Sequence, residues 1–138
     1  MLLKETVFAL IDFESWDTLL RTYVKDGKVD YARWQAEAAQ TLRHWLESVQ
    51  TVDVSTLERS TAIAFLINLY NALTIDQILK KYPIESVRPK ILGVPNMASF
   101  LLFFKSDVYT LNGQRVSLDN IEHDILRDRY KESRIHFA

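Results

Sequence analysis

Two asparagines and a short acidic–histidine block are the residues of this chain whose types and spacing could do chemistry. Asn68 and Asn71 stand three apart within an otherwise apolar run, Ala62-Ile63-Ala64-Phe65-Leu66-Ile67-Asn68-Leu69-Tyr70-Asn71-Ala72-Leu73. On a helix that spacing puts them on neighbouring surface. Burying an unpaired amide costs roughly 1–3 kcal/mol on protein mutational scales, so each needs a partner. Most buried side-chain amides bond local backbone. The other reading is that they line a pocket and orient a ligand or a catalytic side chain, which makes Asn68 and Asn71 candidate ligand-binding residues.

Ile121-Glu122-His123-Asp124 sets a histidine between two carboxylates, with Asp119 one helical turn earlier. Pairing with Asp119 at i,i+4 would favour the imidazolium. A carboxylate-oriented histidine is also the usual make-up of a general base, so Glu122 and His123 are candidate catalytic residues. An exposed ion pair or a helix cap is the commoner use of such a pattern. His136, between Ile135 and Phe137 in a strand-like stretch, points to the face opposite theirs. It is the third catalytic candidate, against the plainer reading of a hydrogen-bonded core histidine. His44, between Arg43 and Trp45, has no carboxylate near in sequence and reads as a surface residue. Arg127, Arg129 and Arg134 form a basic run that is more often solvated than anion-binding. These groups supply too few ligands for a metal site, so no metal is expected.

The composition narrows the field further. The chain has 138 residues, 48% hydrophobic and 12% aromatic, with three Gly and no Cys. That length fits one domain over residues 1–138. Without Cys there is no disulfide, thiolate zinc site or cysteine nucleophile within this sequence. Three glycines make a backbone cradle for phosphate improbable, no nucleotide motif is present, and no cofactor is expected. Seventeen basic against eighteen acidic residues give a net charge of −1. A chain with no basic surplus is a poor nucleic-acid binder, so its Trp and Tyr residues read as core aromatics with one polar end. Lys4 and Glu5 precede an apolar run of only five residues, unlike a secretory leader. No window reads as a continuous apolar stretch of the roughly 18 residues that a membrane span needs, so the expectation is a soluble chain, cytoplasmic by default.

The elements that must carry these residues follow from periodicity. Phe13, Trp16, Leu19, Leu20 and Tyr23 predict an amphipathic helix over about Asp12 to Tyr23, capped by Asp12 or Ser15. Asp26-Gly27 predicts a turn. A second helix, about Tyr31 to Gln50, places Trp34, Ala38, Leu42, Trp45 and Leu46 on one stripe. Ser55-Thr56-Leu57-Glu58 fits a capping box opening a third helix over about 56–81. That helix stops because Tyr82 precedes Pro83. Its apolar run predicts burial on every side, at the centre of the core. Residues 86–98 read as a long loop and Phe100–Phe104 as a short strand or buried helical turn. Asn112-Gly113-Gln114 between two β-prone runs, Val108–Leu111 and Arg115–Leu118, predicts an antiparallel hairpin. A last helix over about Asp119 to Arg129, capped by Ser117 or Asp119, and a terminal strand over Arg134–Ala138 complete an α+β domain. That strand would leave a sheet edge uncovered, so a dimer or swapped homo-oligomer covering it is expected.

Five blocks, taken in order, resemble one family: Val24–Tyr31, Ala64–Leu73, Tyr82-Pro83, Leu118–Arg127 and Arg134–Ala138. They are similar to the domain-of-unknown-function family numbered 547, over nearly the whole chain. Leu66 departs from the Trp usual there, apolar for apolar. The resemblance implies that a Cys-containing segment follows the His-Phe-Ala block, so this chain reads as the front portion of that domain. It also implies that some members are exported. Two functions follow from it. One is a non-catalytic interaction module whose Asn and Glu-His blocks hold the fold together. The other is a hydrolase- or transferase-like domain in which Asn68, Asn71, Glu122, His123 and His136 line a pocket whose thiol nucleophile is missing from this chain.

Overall fold

The computed structural model describes residues 11–82 and 105–122. Three helices form the body. Helix α1 runs Phe13–Tyr23. Asp12 caps it, its carboxylate accepting the Ser15 N–H at 3.0 Å. Glu14 in the first turn and Arg21 in the last complement the helix dipole. Strands β1 (Val24–Lys25) and β2 (Lys28–Val29) then form a small antiparallel ribbon. Asp26 and Gly27 turn it at φ 53° and 74°, the left-handed pair that a two-residue hairpin loop requires.

Helix α2, Tyr31–Ser48, starts on Asp30, which accepts the Arg33 N–H at 3.3 Å. A non-helical residue, Ala38 at φ −147°, kinks it. The stripe survives the kink: Trp34, Ala38, Leu42, Trp45 and Leu46 are all buried. A 3₁₀ turn, Val54–Thr56, leads to helix α3, Arg59–Lys81. The expected capping box is not used. Ser55 donates its N–H (3.1 Å) and its hydroxyl (2.6 Å) to Asp53 and so belongs to the 3₁₀ turn. Glu58 sits at the N-cap of α3 without a side-chain cap bond. Asp53, two residues before Ser55, competes locally for the donors the box would need.

The far end of α3 is better held. Tyr82 leaves the helix in extended geometry, as the following proline demands. Gln35 of α2 donates from Nε2 to the Leu79 and Tyr82 carbonyls, both at 2.8 Å. This satisfies acceptors that a helix C-terminus otherwise leaves orphaned.

Strands β3 (Asp107–Leu111) and β4 (Gln114–Ser117) pair antiparallel, with Asn112 and Gly113 as the left-handed turn and a bulge near Asp107. Gln114 pairs with Leu111, so it belongs to the strand rather than to the turn. The hairpin seats on the C-terminal end of α2. Tyr109 donates its hydroxyl to the Leu46 carbonyl, and the Asn112 N–H reaches the Gln50 carbonyl at 2.7 Å. Ser117 caps the helical residues 118–122, exchanging bonds of 3.0 Å with Asn120 in both directions. The described chain is therefore α+β, a helical layer with two small antiparallel ribbons. The loop at 86–98, the run at 100–104, the last helix beyond Glu122 and the terminal strand with its oligomer edge lie outside the described residues.

One expectation needs correcting. Helix α3 is not interior on all sides. Ala62, Phe65, Leu66, Leu69, Ala72, Leu73 and Leu79 are buried, but Ala64 and Asn71 are exposed and Ile63, Ile67 and Asn68 half-buried. Helices α1 and α2 cover a broad face, and apolar residues beyond it remain part-covered, which is common on protein surfaces. The apolar length of α3 also departs from the expectation that no window is long enough to span a membrane. By length and composition α3 is long and apolar enough to cross a membrane, with an 18-residue window of mean hydropathy 1.4. In this structure that segment is a core helix packed on α2.

Candidate functional site

Helices α1 and α3 leave an open groove of about 460 Å³ between them. Phe13, Leu20 and Ala64 give it apolar walls, Glu14 and Asp17 stand on the α1 side, and Trp16 and Asn68 meet across it. That volume lies within the usual range for small-ligand or side-chain pockets. The bridge is a single bond: the Trp16 indole Nε1 donates to Asn68 Oδ1 at 3.1 Å. An indole can only donate, so the amide orientation is fixed and Nδ2 is left as a donor beside the groove.

The wall behind the bridge is held by aromatic packing. Trp16 stacks on Trp45 at 5.4 Å between centroids and lies tilted against Trp34 at 6.2 Å. Trp34 in turn stacks on Tyr23 at 5.2 Å. Trp45 Nε1 donates to the Asp12 carbonyl at 2.8 Å, fastening α2 to the start of α1. A side chain locked by such neighbours presents its polar atom in one place. Asp17 pairs with Arg21 at i,i+4, an exposed pair worth little to stability.

The sequence candidates distribute as follows. Asn68 is half-buried in the groove, with Trp16 as its partner. Asn71, one turn on, is exposed. Glu122 lies in the helical residues 118–122 and acts on Tyr70. Burial pushes the Tyr70 phenol above its ordinary range, and the carboxylates of Glu122 and Asp119 push it further. Tyr70 lies two residues after Asn68, about 200° around the helix. The groove and the neighbourhood of Glu122 thus occupy opposite sides of α3. His123 and His136 lie outside the described residues.

The groove's α1 wall was not singled out by sequence reasoning, which assigned Trp16 and Tyr70 to the core. A signal existed. A buried indole usually finds an acceptor and an amide in an apolar helix a donor, and Trp16 with Asn68 answers both. Replacing Asn68 by Leu is expected to lower stability by about 1–3 kcal/mol, because it leaves the indole N–H unpaired. The check is a double-mutant cycle with Trp16→Phe in urea. The two changes should couple by about 1 kcal/mol, and purely additive losses would mean the bond contributes nothing.

No curated protein and no solved structure matches the chain. The model of a family described as "Protein of unknown function, DUF547" matches residues 54–138.

Proposed function

We propose, from the premise that this chain belongs to the DUF547 family, that it is a non-catalytic interaction module. Its groove between α1 and α3 takes an apolar segment of a partner chain that carries a basic side chain at its edge. The observation that supports this most is the make-up of the groove walls. Phe13, Leu20 and Ala64 offer apolar contact, Asn68 offers one oriented amide, and Glu14 adds negative charge on one side, the charge of Asp17 being shared with Arg21. An apolar floor with few fixed polar groups suits recognition by burial plus orientation. Carboxylates at the rim favour a cationic flank and speed its approach. Ala64 and Asn68 fall within the span matched by the family model, whereas α1 precedes it. One wall therefore belongs to the family domain and the other to the preceding helix, which makes α1 the natural place for partner choice to vary.

Selection of a displayed peptide library against the full chain tests this reading. Enriched peptides should share an apolar core with a flanking Lys or Arg. They should lose binding to the Ala64→Arg chain, which fills the groove and offsets the negative charge of Glu14. Equal binding to both chains, acidic consensus peptides, or no enrichment would contradict it.

A second reading, the hydrolase- or transferase-like pocket, keeps Glu122, His123 and His136 as catalytic candidates and Asn71 as a ligand-binding one, with Asn68 apart from them on the other side of α3. One observation favours it: a half-buried tyrosine, Tyr70, held in the field of Glu122 and Asp119. Paired titratable groups in tuned environments are typical of catalytic sites. Spectrophotometric titration of the Glu122→Gln chain tests it. Tyr70 should ionise at lower pH once that charge is gone, and an unchanged curve would remove the support.

A further inference from the structure

The two hairpin turns of this fold are chemically unequal copies of one geometry. Asp26-Gly27 and Asn112-Gly113 both hold two successive residues at positive φ, 53° and 74° in the first, 49° and 82° in the second. We infer that the second is a self-modification site, at which Asn112 is converted to isoaspartate and aspartate in the folded protein.

The turn removes the usual obstacles. Asn112, Gly113 and Gln114 are all exposed, and among the described residues no atom beyond its chain neighbours lies within 4 Å of where a Cβ on Gly113 would sit. Leu111 and Gln114 form the terminal pair of the ladder, so the Gly113 N–H lies outside it. Asn112 already has the positive φ shared by the two mirror-image turn types, I′ and II′. Rotating only the peptide plane between Asn112 and Gly113 interconverts them, and the second type brings the Gly113 nitrogen towards the Asn112 side chain. Glycine permits this rotation because its own φ is free to change sign.

The chemistry balances with water alone. Solvent base removes the Gly113 N–H proton, and that nitrogen attacks Asn112 Cγ. The N–Cγ bond forms, the Cγ–Nδ2 bond breaks, and the departing amide takes up a proton and leaves as ammonia. One water molecule then opens the five-membered imide. Opening at one carbonyl gives aspartate, and opening at the other gives isoaspartate, with an extra methylene in the backbone. The isoaspartate form cannot keep the turn's register, so the bond from the Asn112 N–H to the Gln50 carbonyl, 2.7 Å in the intact chain, is released. The modification thus loosens the hairpin from the end of α2. Asp26-Gly27 serves as the internal reference, because a carboxylate in the same turn is a far poorer electrophile.

The experiment incubates the full folded chain in mildly alkaline buffer, beside the same chain in urea, and follows both turn peptides by mass spectrometry. Isoaspartate is scored by enzymatic methyl transfer to the new carboxylate. The expected result is conversion at Asn112 in the folded chain at a rate within severalfold of the unfolded one, with little isoaspartate at Asp26. The Asn112→Asp chain should release no ammonia from this site while keeping the fold. Amide exchange at Tyr109 and Val116 should quicken severalfold in the isoaspartate form. Conversion confined to the unfolded chain, or an unmodified peptide after long incubation, would overturn the inference.

Discussion

Replacing Trp34 by Ala should destabilise the domain by about 3–5 kcal/mol, the range seen when a large buried aromatic is truncated. Trp34 is fully buried and links the packing of Trp16 to that of Tyr23. A loss of that size is a large share of the roughly 5–15 kcal/mol that holds most domains together. The replacement Trp34→Phe should behave quite differently. Among the described residues, the Trp34 Nε1 is buried with no hydrogen-bond partner. Phe removes that unsatisfied donor, whose burial costs about 1–3 kcal/mol, and this offsets part of the lost ring volume. Trp45→Phe gains no such offset, because its indole donates to the Asp12 carbonyl. Urea midpoints should therefore fall in the order Trp34→Phe, Trp45→Phe, Trp34→Ala, from mildest to most severe. A Trp34→Phe chain as damaged as Trp34→Ala would mean that an unseen partner holds that indole.

Alkali should unfold the domain cooperatively. Burial raises the phenols of Tyr23, Tyr31, Tyr70 and Tyr109 above the ordinary value, and Glu37, which accepts the Tyr23 hydroxyl at 2.9 Å, adds to the shift there. A folded-state value raised above the unfolded one means that the neutral phenol is favoured by the fold. The stability this contributes is complete below the unfolded value of about 10 and is lost as pH rises toward the folded values. Tyr109 is displaced the most. Its hydroxyl donates to the Leu46 carbonyl, and a phenolate cannot donate, so ionisation there detaches the hairpin from α2. The urea midpoint, flat through neutral pH, should drop steeply above about 10 together with the rise in phenolate absorbance. A gradual titration of all tyrosines with the midpoint unchanged would contradict this.

Local signals in the sequence carried most of the architecture. Trp34, Ala38, Leu42, Trp45 and Leu46 announce the buried stripe of α2 at helical spacing, and the structure buries all five. Asp12 and Ser117 cap where their short polar side chains allow, and Asn112-Gly113 turns a hairpin because both residues tolerate positive φ. What could not be read was set by tertiary competition. Ser55 and Glu58 have the letters of a capping box, yet Asp53 takes the donors of Ser55. The apolar run of α3 gives no periodic hint of which side stays open, since Ala64 and Ile67 look as buriable as Phe65 and Leu66. The groove was hidden for the same reason. It arises where α1 crosses α3, a contact between residues 52 apart in the case of Trp16 and Asn68, and no local pattern encodes such a crossing.

The α1–α3 groove is the proposed binding face, and the Trp16 indole N–H is its most direct reporter. Its resonance in the ¹⁵N-labelled full chain, followed while a library-selected peptide is added, should shift saturably together with the Asn68 side-chain amide. The Trp45 indole, bonded on the far side to Asp12, should move much less. Saturable binding that leaves the Trp16 and Asn68 signals in place, or shifts centred on Tyr70 and the residues around Glu122 instead, would contradict the account.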